Sequence, residues 1–193
     1  MKNFCLTISL AALACLCGCK EPEPNVLTSE EEVRGWNLLW DGDDPANGWV
    51  GVSSGYSNFT ARGWSVTNGA LAASVGADSI RTAASFKDFD LKIDYRMAPG
   101  GSGRILYFHN AETNVDSSVA YALVPSPPGK QGLLEWQTAR IVARRTSITH
   151  WLNGQVIERK TRSDVDLDGR IVLDPGDGPV EFRNIKVFSF GKW

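Results

Sequence analysis

Phe89-Asp90-Leu91-Lys92-Ile93-Asp94-Tyr95-Arg96-Met97 alternates apolar and polar residues without a break. In an extended chain successive side chains point to opposite faces. Phe89, Leu91, Ile93, Tyr95 and Met97 therefore share one face, and Asp90, Lys92, Asp94 and Arg96 the other. A helix would scatter both sets, so the run predicts a strand with one side on a core and one on water. The same signature recurs outward along the chain. Asn68-Gly69 separates Gly63-Trp64-Ser65-Val66 from Ala70-Leu71-Ala72, and Asn153-Gly154 separates Ser147–Leu152 from Gln155–Arg159. Asn-Gly between two such runs is a hairpin signal, because both turn residues must take positive φ. Further runs cover Arg104–His109, Val119–Val124 (ended by Pro125, Pro127 and Pro128), Ala139–Ala143, Gly169–Leu173 and Val180–Phe188. About ten to twelve short strands, with no long amphipathic helix and no fixed repeat, predict an antiparallel β-sandwich or barrel.

The N-terminus has a different character. Lys2 is followed by an apolar run from Phe4 to Leu16, then Leu16-Cys17-Gly18-Cys19. A basic start, a short apolar stretch and small residues at the end make a secretory signal. The stretch is shorter than the ~20 residues of a spanning helix. Its ending resembles a bacterial lipobox, which implies cleavage before Cys19, lipid on that cysteine, and a protein anchored at the cell envelope. The expected layout is a signal over 1–18, a lipidated cysteine and tether over 19–35, and one domain over 36–193. Lys20 to Asn25 carries Pro and charge, the composition of a spacer. Ser29 and Glu32 have the spacing of a capping box for a short helical lead-in over Glu30–Trp36.

All four cysteines fall within the first nineteen residues. The domain therefore has no thiolate nucleophile, no cysteine zinc ligand and no disulfide. Net charge is −2, with basic residues scattered rather than striped. That argues against a nucleic-acid partner.

Six motifs stand in a recognisable order: Trp36–Gly42 with Gly48-Trp49, Trp64–Leu71, Phe86–Arg96, Gly100–Gly103, His150–Gly154 and Gly178–Ile185. Together they resemble the DUF1080 family of 3-keto-disaccharide hydrolases and 3-keto-glycoside lyase/hydratases, over about residues 36–190. The resemblance implies a concanavalin/laminarinase-like jelly-roll sandwich and a keto-sugar glycoside as substrate. The C3 ketone acidifies the C2 proton. A base removes it, the C1 substituent leaves, and water adds back. A partner sugar oxidoreductase would supply the ketone. No redox cofactor is needed at this step, and a divalent metal such as calcium is an option for steadying the enolate.

Candidate catalytic groups are His109, Asp174 and Asp177, the two aspartates also being the candidate calcium ligands. Candidate substrate contacts are Arg104, Glu135, Trp136 and Arg183, with Trp49 a second ring able to line a cleft. Gly100–Gly103 lacks the family's Asn, Tyr121–Val124 lacks the family's Glu and Gln, and Leu173–Asp177 lacks its His. Those absences give an alternative reading, a carbohydrate-binding lipoprotein without catalysis; a structural envelope lipoprotein is a third.

Overall fold

Two antiparallel sheets share one apolar core. The computed structural model describes residues 23–52, 61–110, 118–129, 134–164 and 167–191. Its elements are α1 (Ser29–Val33), β1 (Asn37–Leu38), β2 (Trp49–Gly51), β3 (Trp64–Thr67), β4 (Ala70–Ala73), β5 (Ile80–Thr82), β6 (Phe89–Met97) and β7 (Arg104–His109). They continue with β8 (Val119–Ala122), β9 (Gln137–Arg144), β10 (Ser147–Leu152), β11 (Gln155–Thr161), β12 (Arg170–Asp174) and β13 (Val180–Ser189). The larger sheet runs β11-β10-β9-β6-β13-β4-β3, with β1 also on β13; the smaller runs β2-β5-β12-β7-β8. This is the expected sandwich, with slightly more strands than the sequence suggested.

β6 is central to the larger sheet, and its alternation decides which side faces in. Phe89, Leu91, Ile93, Tyr95 and Met97 are fully buried. Phe89 meets Tyr107 and Phe108 of the smaller sheet at ring distances of 5.7 and 5.8 Å. Such tilted and edge contacts suit aromatic quadrupoles. Both Asn-Gly hairpins form as read: Asn68 and Gly69 take φ of 51° and 69°, Asn153 and Gly154 take 50° and 79°.

Some expectations are corrected. The capping box uses Thr28 and Glu31, not Ser29 and Glu32: Thr28 Oγ1 accepts from the Glu31 amide and Glu31 Oε2 accepts from the Thr28 amide. Trp49 lies on β2 with no exposure and donates its indole N–H to the Leu39 carbonyl at 2.7 Å, so it belongs to the core and not to a cleft. β2 and β5 are buried along their whole length. They have no alternation for a period-two reading to find.

Three elements are tied by one buried cation. Arg162 is 7% exposed. It donates to the carbonyls of Arg145, Lys87 and Leu167, pairs with Asp88 at 2.5 Å, and lies 4.6 Å over the Phe108 ring. Asp88 also accepts from the Arg145 amide at 2.9 Å.

A second buried polar group lies beneath β10. His150 is 1% exposed; its Nε2 is 2.8 Å from the Tyr107 hydroxyl and its Nδ1 2.9 Å from Glu158. Burial holds the imidazole below its ordinary pKa of 6.5, against the pull of Glu158. Below that pH the unfolded chain binds a proton that the folded one resists, so stability is complete above about 6.5 and declines as pH falls through it. Thermal melts between pH 7.5 and 5.5 should show this decline, at up to about 1.4 kcal/mol per pH unit. His150→Asn should flatten it. A wild-type midpoint constant over the span would mean that the ring protonates equally well in both states.

Candidate functional site: the outer face of the larger sheet

The alternation that buries one side of β6 places four charged side chains on the other. Register carries the pattern across the sheet: Asp94 stands opposite Thr138 of β9 and Arg183 of β13, and Arg96 opposite Glu181. Trp136 immediately precedes Gln137, the partner of Tyr95, and so sits beside Arg96. Its ring lies 4.7 Å from the Arg96 guanidinium carbon and 4.2 Å from that of Arg183. One indole therefore carries two guanidinium groups, a favourable arrangement for a ring with a negative face.

Each cation has a carboxylate nearby. Glu181 Oε2 accepts from Arg96 Nε at 2.7 Å and Nη2 at 2.6 Å. Asp94 Oδ1 accepts from the Thr138 hydroxyl and Oδ2 from the Asn184 amide, each at 2.7 Å, and Arg183 Nε is 3.9 Å away. Asn184 takes φ of 51° at a register shift in β13, which aims its amide at Asp94. The backbone of Asn184 is fixed by Asn25: Asn184 N–H donates to Asn25 Oδ1 at 2.8 Å, and Asn25 N–H to Asn184 Oδ1 at 2.6 Å. The segment before α1, read from the sequence as spacer, is thus tied to β13 through Asn25 and stiffens one border of the site. What results is a partly exposed patch of one aromatic ring, two guanidinium groups and two carboxylates, the charged groups on β6 and β13 and the ring on the residue that enters β9.

The same face continues toward the other end of β6. Asp90 is bound bidentately by Arg140 at 2.8 and 2.6 Å, and Arg140 lies 5.1 Å from the Trp151 ring. Lys92 stands 4.4 Å from the Trp36 ring, and Glu31 of α1 pairs with Lys186 at 2.7 Å.

Of the residues singled out in the sequence, Trp136 and Arg183 meet in this patch. Glu135 is exposed beside them, its amide donating to the Pro127 carbonyl at 3.1 Å. Arg104, Asp174 and Asp177 gather elsewhere, at one end of the smaller sheet. Arg104 pairs with Asp174 across β7 and β12, and Asp177 accepts from Ser102 Oγ at 3.1 Å. These bonds close a corner between two glycine loops. A Cβ on Gly176 would lie 2.8 Å from the Ser102 backbone, and one on Gly178 2.9 Å from the Gly101 Cα. The corner has the geometry of a structural latch. His109 does not join it: it ends β7 five residues beyond Arg104, opposite Arg170, with Nδ1 3.2 Å from Ser118 Oγ. The three catalytic candidates are thus not brought together: Asp174 and Asp177 share the corner, and His109 stands at the other end of β7. Asp174 is engaged by Arg104 and Asp177 by Ser102, and among the described residues no three His, Cys, Asp or Glu side chains group to hold a metal.

Asp94, Arg96 and Thr138 were overlooked as site residues. The β6 alternation places Asp94 and Arg96 outward, but only the strand register sets them beside Thr138 of β9 and Glu181 of β13.

Comparison with known proteins bears on this geometry. A family model described as a 3-keto-alpha-glucoside-1,2-lyase-like domain matches residues 35–188. No curated relative matches by sequence. Among solved structures, a candidate glycosyl hydrolase from Parabacteroides distasonis ATCC 8503 is 19% identical. It covers 88% of this chain and 100% of its own, with a TM-score of 0.71. A Bacillus licheniformis beta-glucanase is 11% identical over 77% of this chain and 94% of its own, with a TM-score of 0.58. The carbohydrate binding module CBM66 from Bacillus subtilis is 16% identical over 72% and 94%, with a TM-score of 0.52. At these identities the likeness is one of fold.

Proposed function

The chain belongs to the 3-keto-alpha-glucoside-1,2-lyase-like domain family, and we propose that it acts on carbohydrate, specifically 3-keto-glycosides, at the outer face of the larger sheet. The observation that carries this is the Trp136 ring, in contact with Arg96 and Arg183 and bordered by Glu181 and Asp94. An aromatic face packs against the C–H face of a sugar, while planar charged groups hydrogen-bond its hydroxyls. Glu181, the more exposed carboxylate, takes the C2 proton. The guanidinium groups steady the oxygen of the resulting enolate. The C1–oxygen bond then breaks, the leaving oxygen collects a proton, and water adds across the new double bond. No redox step occurs here, so a sugar oxidoreductase must make the ketone beforehand.

The test is incubation of the purified domain with methyl 3-keto-α-glucoside, following loss of the ketone. Glu181→Gln should lower turnover by about 10²–10⁴-fold, the usual worth of a general base. Turnover undiminished in that variant removes Glu181 from the role. A second reading is binding without turnover. It is favoured by one observation: Asp94 and Glu181 are both already engaged, by Thr138, Asn184 and Arg96. Binding of the keto-sugar with no loss of ketone selects it.

The place of action is the bacterial cell envelope, with the domain held by lipid on Cys19. Residues 1–22 lie outside the described residues, and the support is the sequence of Met1–Cys19 itself. Retention of Cys19→Ser in the membrane fraction of expressing cells would refute it. Among the described residues no helix is long and apolar enough to cross a membrane.

A further inference from the structure

A second concave region lies on the same face as Trp136, between α1 and the strands. It encloses about 540 Å³, within the range of sites that take small ligands. One wall is aromatic: Trp36 lies 6.0 Å from Phe188, and Phe188 5.1 Å from Phe190. The floor is Asp90 with Arg140, joined by Lys92. The opposite rim is α1, which Glu31 pins to Lys186.

We propose that this cleft is a second carbohydrate subsite, so that the ligand is an oligosaccharide lying along β6 from Trp136 to α1. The proposal rests on the carbohydrate reading above and extends it to ligand length. Asp90, Lys92, Asp94 and Arg96 are successive outward positions of β6. Six residues of strand cover about 20 Å, more than one sugar ring spans. The chemistry of the cleft matches that of the Trp136 patch: aromatic rings beside planar ion pairs, with no apolar floor. Its charges are also largely compensated. Arg140 is matched by Asp90, Lys186 by Glu31 and Arg34 by Glu30. A compensated cleft favours a neutral hydroxyl-rich chain over an anionic one, since an anion would have to displace a carboxylate already in place.

The experiment is a length series read by calorimetry on the purified protein. The probes are methyl 3-keto-α-glucoside and α-linked gluco-oligosaccharides of increasing length, each bearing the ketone at its non-reducing end. The wild type should bind the longest about tenfold or more tighter than the methyl glycoside. Glu30→Trp places a bulky ring at the cleft mouth. Glu30 is exposed and makes only a surface pair with Arg34, so folding is preserved, as a thermal melt will verify. In this variant the methyl glycoside should bind as before and the gain with length should shrink to about twofold or less. Phe190→Ala, which removes part of the aromatic wall, should also reduce the gain. A wild type that shows no gain with length overturns the second subsite. So does a Glu30→Trp variant that keeps the gain in full. Absence of binding to every probe, the methyl glycoside included, overturns the carbohydrate reading itself and the subsite with it.

Discussion

Arg162→Ala will lower the unfolding free energy by about 3–5 kcal/mol, the cost of breaking a buried ion pair by removing one partner. The side chains of Arg162 and Asp88 are only 6% and 14% exposed, so water screens the pair weakly. The loss reaches further than Asp88. The carbonyls of Arg145, Lys87 and Leu167 each lose a donor, and the Phe108 ring loses the cation above it. A buried acceptor without a partner costs about 1–3 kcal/mol. These segments lead into β6, turn between β9 and β10, and approach β12, so the effect spreads over both sheets. Chemical denaturation monitored by tryptophan fluorescence will measure it. Arg162→Lys should recover only part, because an ammonium cannot reach the same set of acceptors as a planar fork. A loss below about 1 kcal/mol would place the residue among ordinary surface cations.

Trp136→Ala will weaken binding of methyl 3-keto-α-glucoside by at least about 30-fold, the factor for a 2 kcal/mol hot spot. Two effects combine. The sugar loses its aromatic face, and Arg96 and Arg183 lose the ring that orients them. Trp136→Phe keeps an apolar face and should cost about tenfold or less. Trp136 is partly exposed and outside the core cluster, so the Ala variant should melt close to the wild type. Unchanged binding in Trp136→Ala would move the sugar site off this face.

The two predictions draw on different amounts of sequence information. The β6 alternation and the two Asn-Gly turns placed the core face and two hairpins, because period and turn chemistry are local properties. β2 and β5 escaped notice for the opposite reason. They are short, buried on every side, and β5 includes the buried Arg81, which no hydrophobic pattern would include. Which candidates meet was not legible, because that depends on pairing between strands. Asp174 and His109 each sit at a strand end, but only the β7–β12 register shows that Arg104 takes Asp174 while His109 lies opposite Arg170. Trp136 and Arg183 were named from residue type alone, and the structure sets them side by side. Asp94 and Arg96 were visible as outward charges, yet nothing in the linear chain ties them to a tryptophan forty residues on.

The glycine corner at Gly176 and Gly178 bears on how such a domain can diverge. Backbone meets backbone there, and a single added methyl collides. Substitution of either glycine is therefore a closed route to new chemistry at that corner, although a longer loop could bypass it. The outward side chains of β6, β9 and β13 pair with one another rather than with the core, so replacements there trade surface ion pairs and leave the apolar layer beneath in place. A lineage exploring new substrates would keep the corner fixed and rewrite the sheet face one residue at a time.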